Sequence, residues 1–359
     1  MITLPNGRKI GPGQPCFLVA EIGQNHNGDV YTALRLAGEA AKAGFDAVKL
    51  CKRHLPGEMT LAMANEPYSG PQSFGPTYGR HREFLELPIA DYKHLQERIR
   101  YNGWDLALFA TACHPVSVDE LEREIDPPLY KVASRDLDNL PLIERIARTG
   151  KPIVLSMGMA RGPEEIGAAL NTILPHHDQI VLCYCVSKYP TPDEDTFLGA
   201  LANLREMFGV LVGFSDHSVG IHLAQAAAVL GAVYIEKHVT LARAMKGSDH
   251  AASLEQAGME KLVRNIRSVE RSMRGQLWGA LSREVQRNRR RLGRSIVSAR
   301  MIRAGETITE DMLCLKSPGD GIPWAKREKL LGQKARRIVP ADMTLVWEDV
   351  MAPERIMGI

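Results

Sequence analysis

The feature that most constrains this chain is a strand–helix alternation recurring eight times between residues 17 and 273. Apolar runs at Phe17–Ile22, Asp46–Leu50, Asp105–Ala110, Leu129–Val132, Pro152–Ser156, Ile180–Tyr184, Val210–Phe214 and Val233–Glu236 read as strands. Helical stretches follow each in turn: Tyr31–Ala43, Ile89–Tyr101, Val118–Glu124, Leu140–Thr149, a helix from Pro163, Thr196–Phe208, Ile221–Leu230 and Leu254–Met273. Strands that are apolar throughout, rather than on alternate residues, belong to parallel sheets covered on both faces. Eight such units over about 260 residues match the size of a TIM (β/α)8 barrel. A doubly wound open sheet is the alternative. One Gly- and Pro-rich insertion, Pro56–Arg80, interrupts the repeat.

The alternation stops before residue 276. Residues 276–292 read as a basic linker, with six arginines within Arg283–Arg294, and residues 293–359 as a separate module. In that module short apolar stretches (Ser295–Ala299, a late strand Thr344–Trp347) alternate with Gly and Pro turns, which predicts a small β-rich domain. From Gln276 onward there are 16 Lys and Arg against 10 Asp and Glu, so the tail is basic while the chain as a whole carries only +3. The arginine run lacks interleaved aromatics, so a solvated segment or one docking on an acidic protein surface is favoured over nucleic-acid binding. No apolar run approaches the roughly 18 residues needed to cross a bilayer, so no membrane partner is expected. Six cysteines at irregular spacing make no disulfide framework, which points to reduced thiols and a cytoplasmic setting.

Catalytic groups of a barrel sit just past its strand ends, and chemistry-bearing residues collect there. His217 and His238 end adjacent strands, where two imidazoles suit one divalent cation. Lys49 and Lys131 are costly to bury unless they face an anion. Ser134, Ser156 and Ser215 suit a phosphate or carboxylate cradle, and Glu21 is a candidate acid/base.

Several longer stretches then carry a specific resemblance. Ala20-Glu-Ile-Gly-Gln-Asn-His-Asn-Gly28, Tyr130-Lys-Val-Ala-Ser134, Ser156-Met-Gly-Met-Ala160, Tyr189-Pro-Thr-Pro192, Ser215-Asp-His-Ser218 and Ile235-Glu-Lys-His238 resemble the sialic acid synthase family. The tail, with Ile302-Arg-Ala-Gly-Glu-Thr-Ile-Thr309, is similar to the antifreeze-like (SAF) module that follows the barrel in that family. The resemblance implies condensation of phosphoenolpyruvate with the open-chain aldehyde of an N-acetylmannosamine-type sugar. The products are a 3-deoxy-2-ulosonic acid and phosphate, used in surface-polysaccharide synthesis. It further implies that His217 and His238 hold Mn2+, with Mg2+ or Co2+ as alternatives, and that Lys49, Thr111, Lys131, Ser134, Ser156 and Ser215 hold phosphoenolpyruvate. Glu21 would manage protons and Asp136 would sit near the metal and aldehyde. Ser187, Tyr189 and Asp249 would bind sugar hydroxyls, in a domain-swapped homodimer.

Four departures from the family pattern bear on the acceptor. Ser134-Arg135-Asp136 replaces the usual Ser-Gly-Glu, leaving the carboxylate about 1.5 Å less reach. Leu50-Cys51 stands for Phe-Gln, and Phe109-Ala-Thr-Ala112 for Phe-Ser-Thr-Pro. Ser317, before Pro318-Gly319, stands where the family carries an arginine that reaches the sugar's N-acyl group. Weak discrimination between N-acetylmannosamine and an unacylated aldose is therefore expected. A related 2-ketoacid sugar synthase using a non-N-acetylated acceptor and a non-catalytic sugar-binding barrel are the alternatives.

Overall fold

Parallel strands buried on both faces need helices outside and a filled interior, and the computed structural model, described for residues 1–275 and 279–350, has both. After a short antiparallel hairpin of β1 (Ile2–Thr3) and β2 (Lys9–Ile10), eight parallel strands follow. They are β3 (Phe17–Gly23), β4 (Ala47–Lys52), β5 (Ala107–Ala112), β6 (Tyr130–Val132), β7 (Ile153–Ser156), β8 (Ile180–Tyr184), β9 (Leu211–Asp216) and β10 (Tyr234–His238). They close in chain order, with β10 pairing both β9 and β3, into a TIM-like barrel.

Side chains alternate along each strand, which splits the core in two. Leu18, Ala20 and Ile22 of β3, with Val48, Leu50, Leu108 and Ala110, join the outer layer against the helices. Phe17, Val19, Ala47, Phe109, Leu129, Val154, Val181 and Tyr234 fill the interior near the strand starts. Ile2, Leu4 and Ile10 of the N-terminal hairpin pack into this interior cluster and close that end, an element the apolar periodicity did not reveal. One flanking helix illustrates the local logic. Val30–Ala43 buries Ala33, Leu36, Ala37, Ala40 and Ala43 at helical spacing; Asp29 accepts the Tyr31 and Thr32 amides at its start, and Gly44 ends it at φ +86°. The insertion is ordered into short helices at Leu55–Glu58, Leu61–Ala64 and Tyr78–Phe84.

Compactness divides the chain between Arg274 and Gly275. The second unit differs from expectation at two places. The basic segment is a helix, Arg283–Leu292, capped by the Ser282 hydroxyl and tied to its own unit by the Gly319 amide on the Arg290 carbonyl (2.8 Å). The first residues of the expected linker, 276–278, and the last of the expected module, 351–359, lie outside the described residues. The late strand is also absent: Thr344 makes one bridge to Val297, and Trp347–Asp349 forms a 3-10 turn. Among the described residues of this unit, β11 (Ser295–Ser298) and β12 (Leu313–Lys316) pair as strands. Ile296, Ile302, Ile308, Ile322, Leu330, Val339 and Leu345 make the module's small core. Among the described residues no helix is long and apolar enough to cross a membrane.

Candidate active site

The inward residues change character near the strand ends. Above the apolar interior, β3 presents Glu21, β4 Lys49, β5 Thr111, β6 Lys131, β7 Ser156, β9 Ser215 and β10 Glu236. All are 3–4% exposed. They floor a cavity of about 350 Å3 whose walls come from the last residue of β10, His238, and from the loops beyond the strands: Ser134, Ser187, Tyr189, His217 and Asp249.

The floor is a chain of alternating charge. Lys131 Nζ donates to both oxygens of Glu236 at 2.9 and 3.0 Å. Lys49 Nζ lies 2.6 Å from Glu21 Oε2, an ion-pair contact outside hydrogen-bond alignment, 2.8 Å from Thr111 Oγ1 and 3.6 Å from Glu236. Tyr234 and Ser215 hydroxyls also donate to Glu236, at 2.6 and 3.1 Å. The two carboxylates separate accordingly. Burial pushes Glu21 above the usual carboxylate range and the Glu236 charge reinforces this, Lys49 opposing. Burial acts on Glu236 in the same sense, yet Lys131, Lys49 and Tyr234 together hold it well below that range. Both lysines stay charged, because Glu236, and Glu21 for Lys49, outweigh the cost of burial. Two carboxyls with divergent proton affinities are the arrangement from which acid and base roles are built.

On the wall, His217 Nδ1 donates to the Val186 carbonyl at 2.7 Å, which leaves the Nε2 lone pair facing the hydroxyls of Tyr189 (3.0 Å) and Ser215 (3.1 Å). Burial, with His238 beside it, pushes the imidazole down to about 3, so it is neutral. The His238 ring lies 5.8 Å from that of His217, and its buried Nδ1 has no partner among the described residues. A neutral imidazole with its lone pair presented and a neighbour with an orphaned ring nitrogen fit a divalent cation. Among the described residues no third His, Cys, Asp or Glu joins them as a set, so water or substrate oxygen would complete the shell.

Of the residues singled out from the sequence, Asp136 alone is not brought to the cavity. In the 3-10 turn Ser134–Asp136 the first two residues face it, while the Asp136 carboxylate turns back onto Arg135 Nε (3.2 Å) and Asn139 Nδ2 (3.4 Å). Asn139 in turn caps the next helix, which draws the shorter carboxylate away. The placement expected of Asp136 is therefore corrected, and Arg135 occupies that part of the wall. Glu236 went unassigned, although its spacing of two from His238 on one strand put both on the same face. Arg53, Arg82, Cys51, Cys113 and Cys185 also line the cavity. Gly158 is needed where the wall is tightest, since a Cβ there would sit 2.6 Å from Cys185 Sγ and 2.8 Å from Ser187 Oγ.

The loop Gly23–Gly28 mostly holds structure. Asn25 Nδ2 donates to the Val239 carbonyl and Ser253 Oγ, both at 2.9 Å. His26 Nδ1 accepts the Gly28 amide at 3.0 Å, and Gly28, at φ +74°, leaves no room for a Cβ beside the Phe84 carbonyl.

Comparison with known proteins agrees with this architecture. Residues 36–277 match the NeuB family and residues 293–351 the SAF domain. The chain is 35% identical to N-acetylneuraminate-9-phosphate synthase of Mus musculus, covering 97% of this chain and 96% of that protein. It is 34% identical to the N,N'-diacetyllegionaminic acid synthase of Campylobacter jejuni, covering 89% and 96%. Among solved structures it resembles an N-acetylneuraminic acid synthetase from Leptospira borgpetersenii in complex with citrate, with a TM-score of 0.68, 31% identity and 80% and 95% coverage. Barrel, cavity and tail together make this chain a member of the NeuB family of sialic acid synthase-like enzymes, with a C-terminal SAF domain.

Proposed function

We propose that the chain condenses phosphoenolpyruvate with an open-chain aldose to give a 3-deoxy-2-ulosonic acid and phosphate, in the making of a surface polysaccharide. The observation that carries this reading is the pairing, in one cavity, of two lysines held charged by carboxylates with two facing imidazoles. Lys49 and Lys131 retain donor capacity beyond their carboxylate partners; with Thr111, Ser134, Ser156 and Ser215 they bind the phosphate and carboxylate of phosphoenolpyruvate. His217 and His238 hold a divalent cation, Mn2+ in this reading with Mg2+ or Co2+ as alternatives, and the ion supplies Lewis-acid polarisation of the sugar aldehyde. A bond forms between C3 of phosphoenolpyruvate and the aldehyde carbon, and the aldehyde oxygen takes up a proton. Glu21, whose proton affinity is raised, holds that proton, while ionised Glu236 fixes both lysines. Water then adds at C2, and the C2–O bond to phosphate breaks to leave the keto acid. Ser187, Tyr189 and Asp249 orient the sugar hydroxyls. A homodimer and a cytoplasmic setting belong to the same reading.

The relatives' names leave the acceptor open, since one product is a sugar-acid phosphate and the other is not. In the tail, Ser317 Oγ donates to the Leu292 carbonyl at 3.3 Å and is too short for the contact made by the family's arginine, while Lys316 forms an exposed pair with Asp342. We therefore keep weak discrimination for the N-acetyl group as part of the proposal. The test is phosphate release from phosphoenolpyruvate with Mn2+ and a panel of aldoses including N-acetylmannosamine and mannose. Release is expected in the unmodified protein and its loss in His217→Ala. Full activity of His217→Ala after chelator treatment would remove the imidazole from the scheme. A several-hundred-fold preference for the N-acetyl sugar would overturn the acceptor reading.

A further inference from the structure

The cavity holds a second set of cations to which the reaction above gives no task. Arg53 follows β4, Arg135 lies in the turn after β6, and Arg82 comes from the helix Tyr78–Phe84 of the insertion; all three line the cavity. Their pairing differs from that of the floor lysines. Arg53 Nη1 and Arg135 Nη2 share one acceptor, Glu58 Oε2, at 2.9 and 3.4 Å, and Arg135 Nε also meets Asp136 at 3.2 Å. The other Glu58 oxygen accepts the His54 amide at 2.7 Å. Arg82 Nη1 donates to a neutral partner, Gln24 Oε1, at 2.5 Å. Among the described residues the Nε atoms of both Arg53 and Arg82 are buried without a partner, and Arg53 as a whole is only 8% exposed. Buried guanidinium N–H groups left unpaired are costly unless a ligand supplies acceptors. The thiols between them add no competing charge, since burial pushes Cys51 up and Cys113 to about 12.

The position is also suggestive. These arginines stand on the β4–β6 side of the mouth, and the barrel order sets β5 and β6 opposite β9 and β10, where His217 and His238 lie. A sugar whose aldehyde faces the histidines would extend its far end toward the arginines. Guanidinium forks suit an oxyanion with several acceptor oxygens, the geometry of a phosphoryl group.

We propose that Arg53, Arg135 and Arg82 form a phosphoryl subsite for the acceptor, so that the aldose condensed here carries a phosphate at the end remote from its aldehyde. This rests on the synthase reading above and adds the acceptor's chemical class to it. Arg135 stands where the resembled Ser-Gly-Glu pattern has glycine, so that arginine belongs to this chain rather than to the common pattern.

Calorimetric titration of the full chain tests it, with mannose 6-phosphate and N-acetylmannosamine 6-phosphate each compared with its unphosphorylated parent. The phosphorylated sugar is expected to bind roughly 10- to 150-fold tighter, the range for hydrogen bonds to charged groups. Arg53→Gln and Arg135→Gly should each remove most of that ratio; the glycine variant restores the residue relatives fold with and so guards against a misfolding artefact. Equal affinity for phosphorylated and parent sugars in the unmodified protein would overturn the subsite. A larger loss of phosphoenolpyruvate affinity than of phosphosugar affinity in either variant would overturn it too, by giving the arginines to the other substrate. An intact phosphosugar preference without phosphate release from phosphoenolpyruvate, whatever the aldose, supports the subsite and defeats only the synthase reading.

Discussion

The lower and upper halves of the barrel interior are built on the same strands, two residues apart, and they do opposite things. On β3, Val19 packs against apolar neighbours and Glu21 faces a lysine; on β5 the pair is Phe109 and Thr111, and on β10 Tyr234 and Glu236. Burial stabilises the lower layer directly, at about 25 cal/mol per Å2 of apolar surface. In the upper layer burial is a cost, because two lysines and two carboxylates have left water and their mutual attraction does little more than offset this. A fold assembled for stability alone would continue the lower layer upward. The change in character at one level of the barrel is therefore the physical mark of the site.

The largest effect expected from breaking this contrast lies in the lower layer. Phe109 is fully buried inside the barrel, and Phe109→Ala should cost about 3–5 kcal/mol of unfolding free energy through lost burial and the cavity left behind. Urea unfolding measures this. Since the residue touches no substrate in our reading, the folded fraction should keep its phosphoenolpyruvate affinity. A destabilisation under about 1 kcal/mol would mean that the lower layer is not the stabilising half.

The second expectation separates polarity that serves chemistry from polarity that serves structure within the upper half. His26 sits in the loop after β3 and is 1% exposed, and burial pushes its imidazole down to about 4. The unfolded chain binds the proton near pH 6.5. The folded state therefore prefers neutral His26, and its contribution is complete above pH 6.5 and is lost as pH falls from 6.5 toward 4. The shift corresponds to roughly 3 kcal/mol. Between pH 7 and 4 the native protein should lose that much more stability than His26→Asn. Parallel stability–pH curves for the two would show that His26 does not titrate with folding.

How much of this was legible in the sequence follows from the same contrast. The eight strands could be read because both of their faces are apolar, and the histidines and lysines because such groups stand out at apolar strand ends. The N-terminal hairpin escaped because Ile2, Leu4 and Ile10 are too few to show a period; their burial depends on the barrel closing around them. Asp136 was misplaced because a 3-10 turn, unlike a strand, does not keep alternate residues on one face, and Asn139 takes its carboxylate. The helix Arg283–Leu292 was hidden by arginines that suggested a solvated segment, although Ser282 and Gly293 bracket it. Thr344–Trp347 read as a strand from its composition, but in a module with so small a core one bridge and a 3-10 turn are enough to bury Leu345. Arg53 and Arg82 received no role for another reason: what singles them out is an Nε atom without a partner among the described residues, which only three-dimensional neighbours reveal.

The smallest expected effect is the one that decides what the upper layer is for. Lys131 donates to both oxygens of Glu236, and this close pair has two opposed interpretations. If the pair only satisfies itself, Lys131→Met removes one partner and leaves Glu236 to Tyr234, Ser215 and the more distant Lys49, and the loss shows in stability alone. If the ammonium also faces substrate, phosphoenolpyruvate loses a charged donor. Its affinity should then fall by about 1.5–3 kcal/mol, or roughly 10- to 150-fold. The geometry favours the second outcome. Glu236 is held ionised by several groups at once, so it does not exhaust the three donors of Lys131, and the lysine lines the cavity beside Ser156 and Ser215. Calorimetric titration of phosphoenolpyruvate into Lys131→Met, paired with its urea midpoint, resolves the two. An unchanged dissociation constant with a lowered midpoint would move Lys131 into the structural layer, and the boundary between the halves of the barrel would have to be redrawn above it.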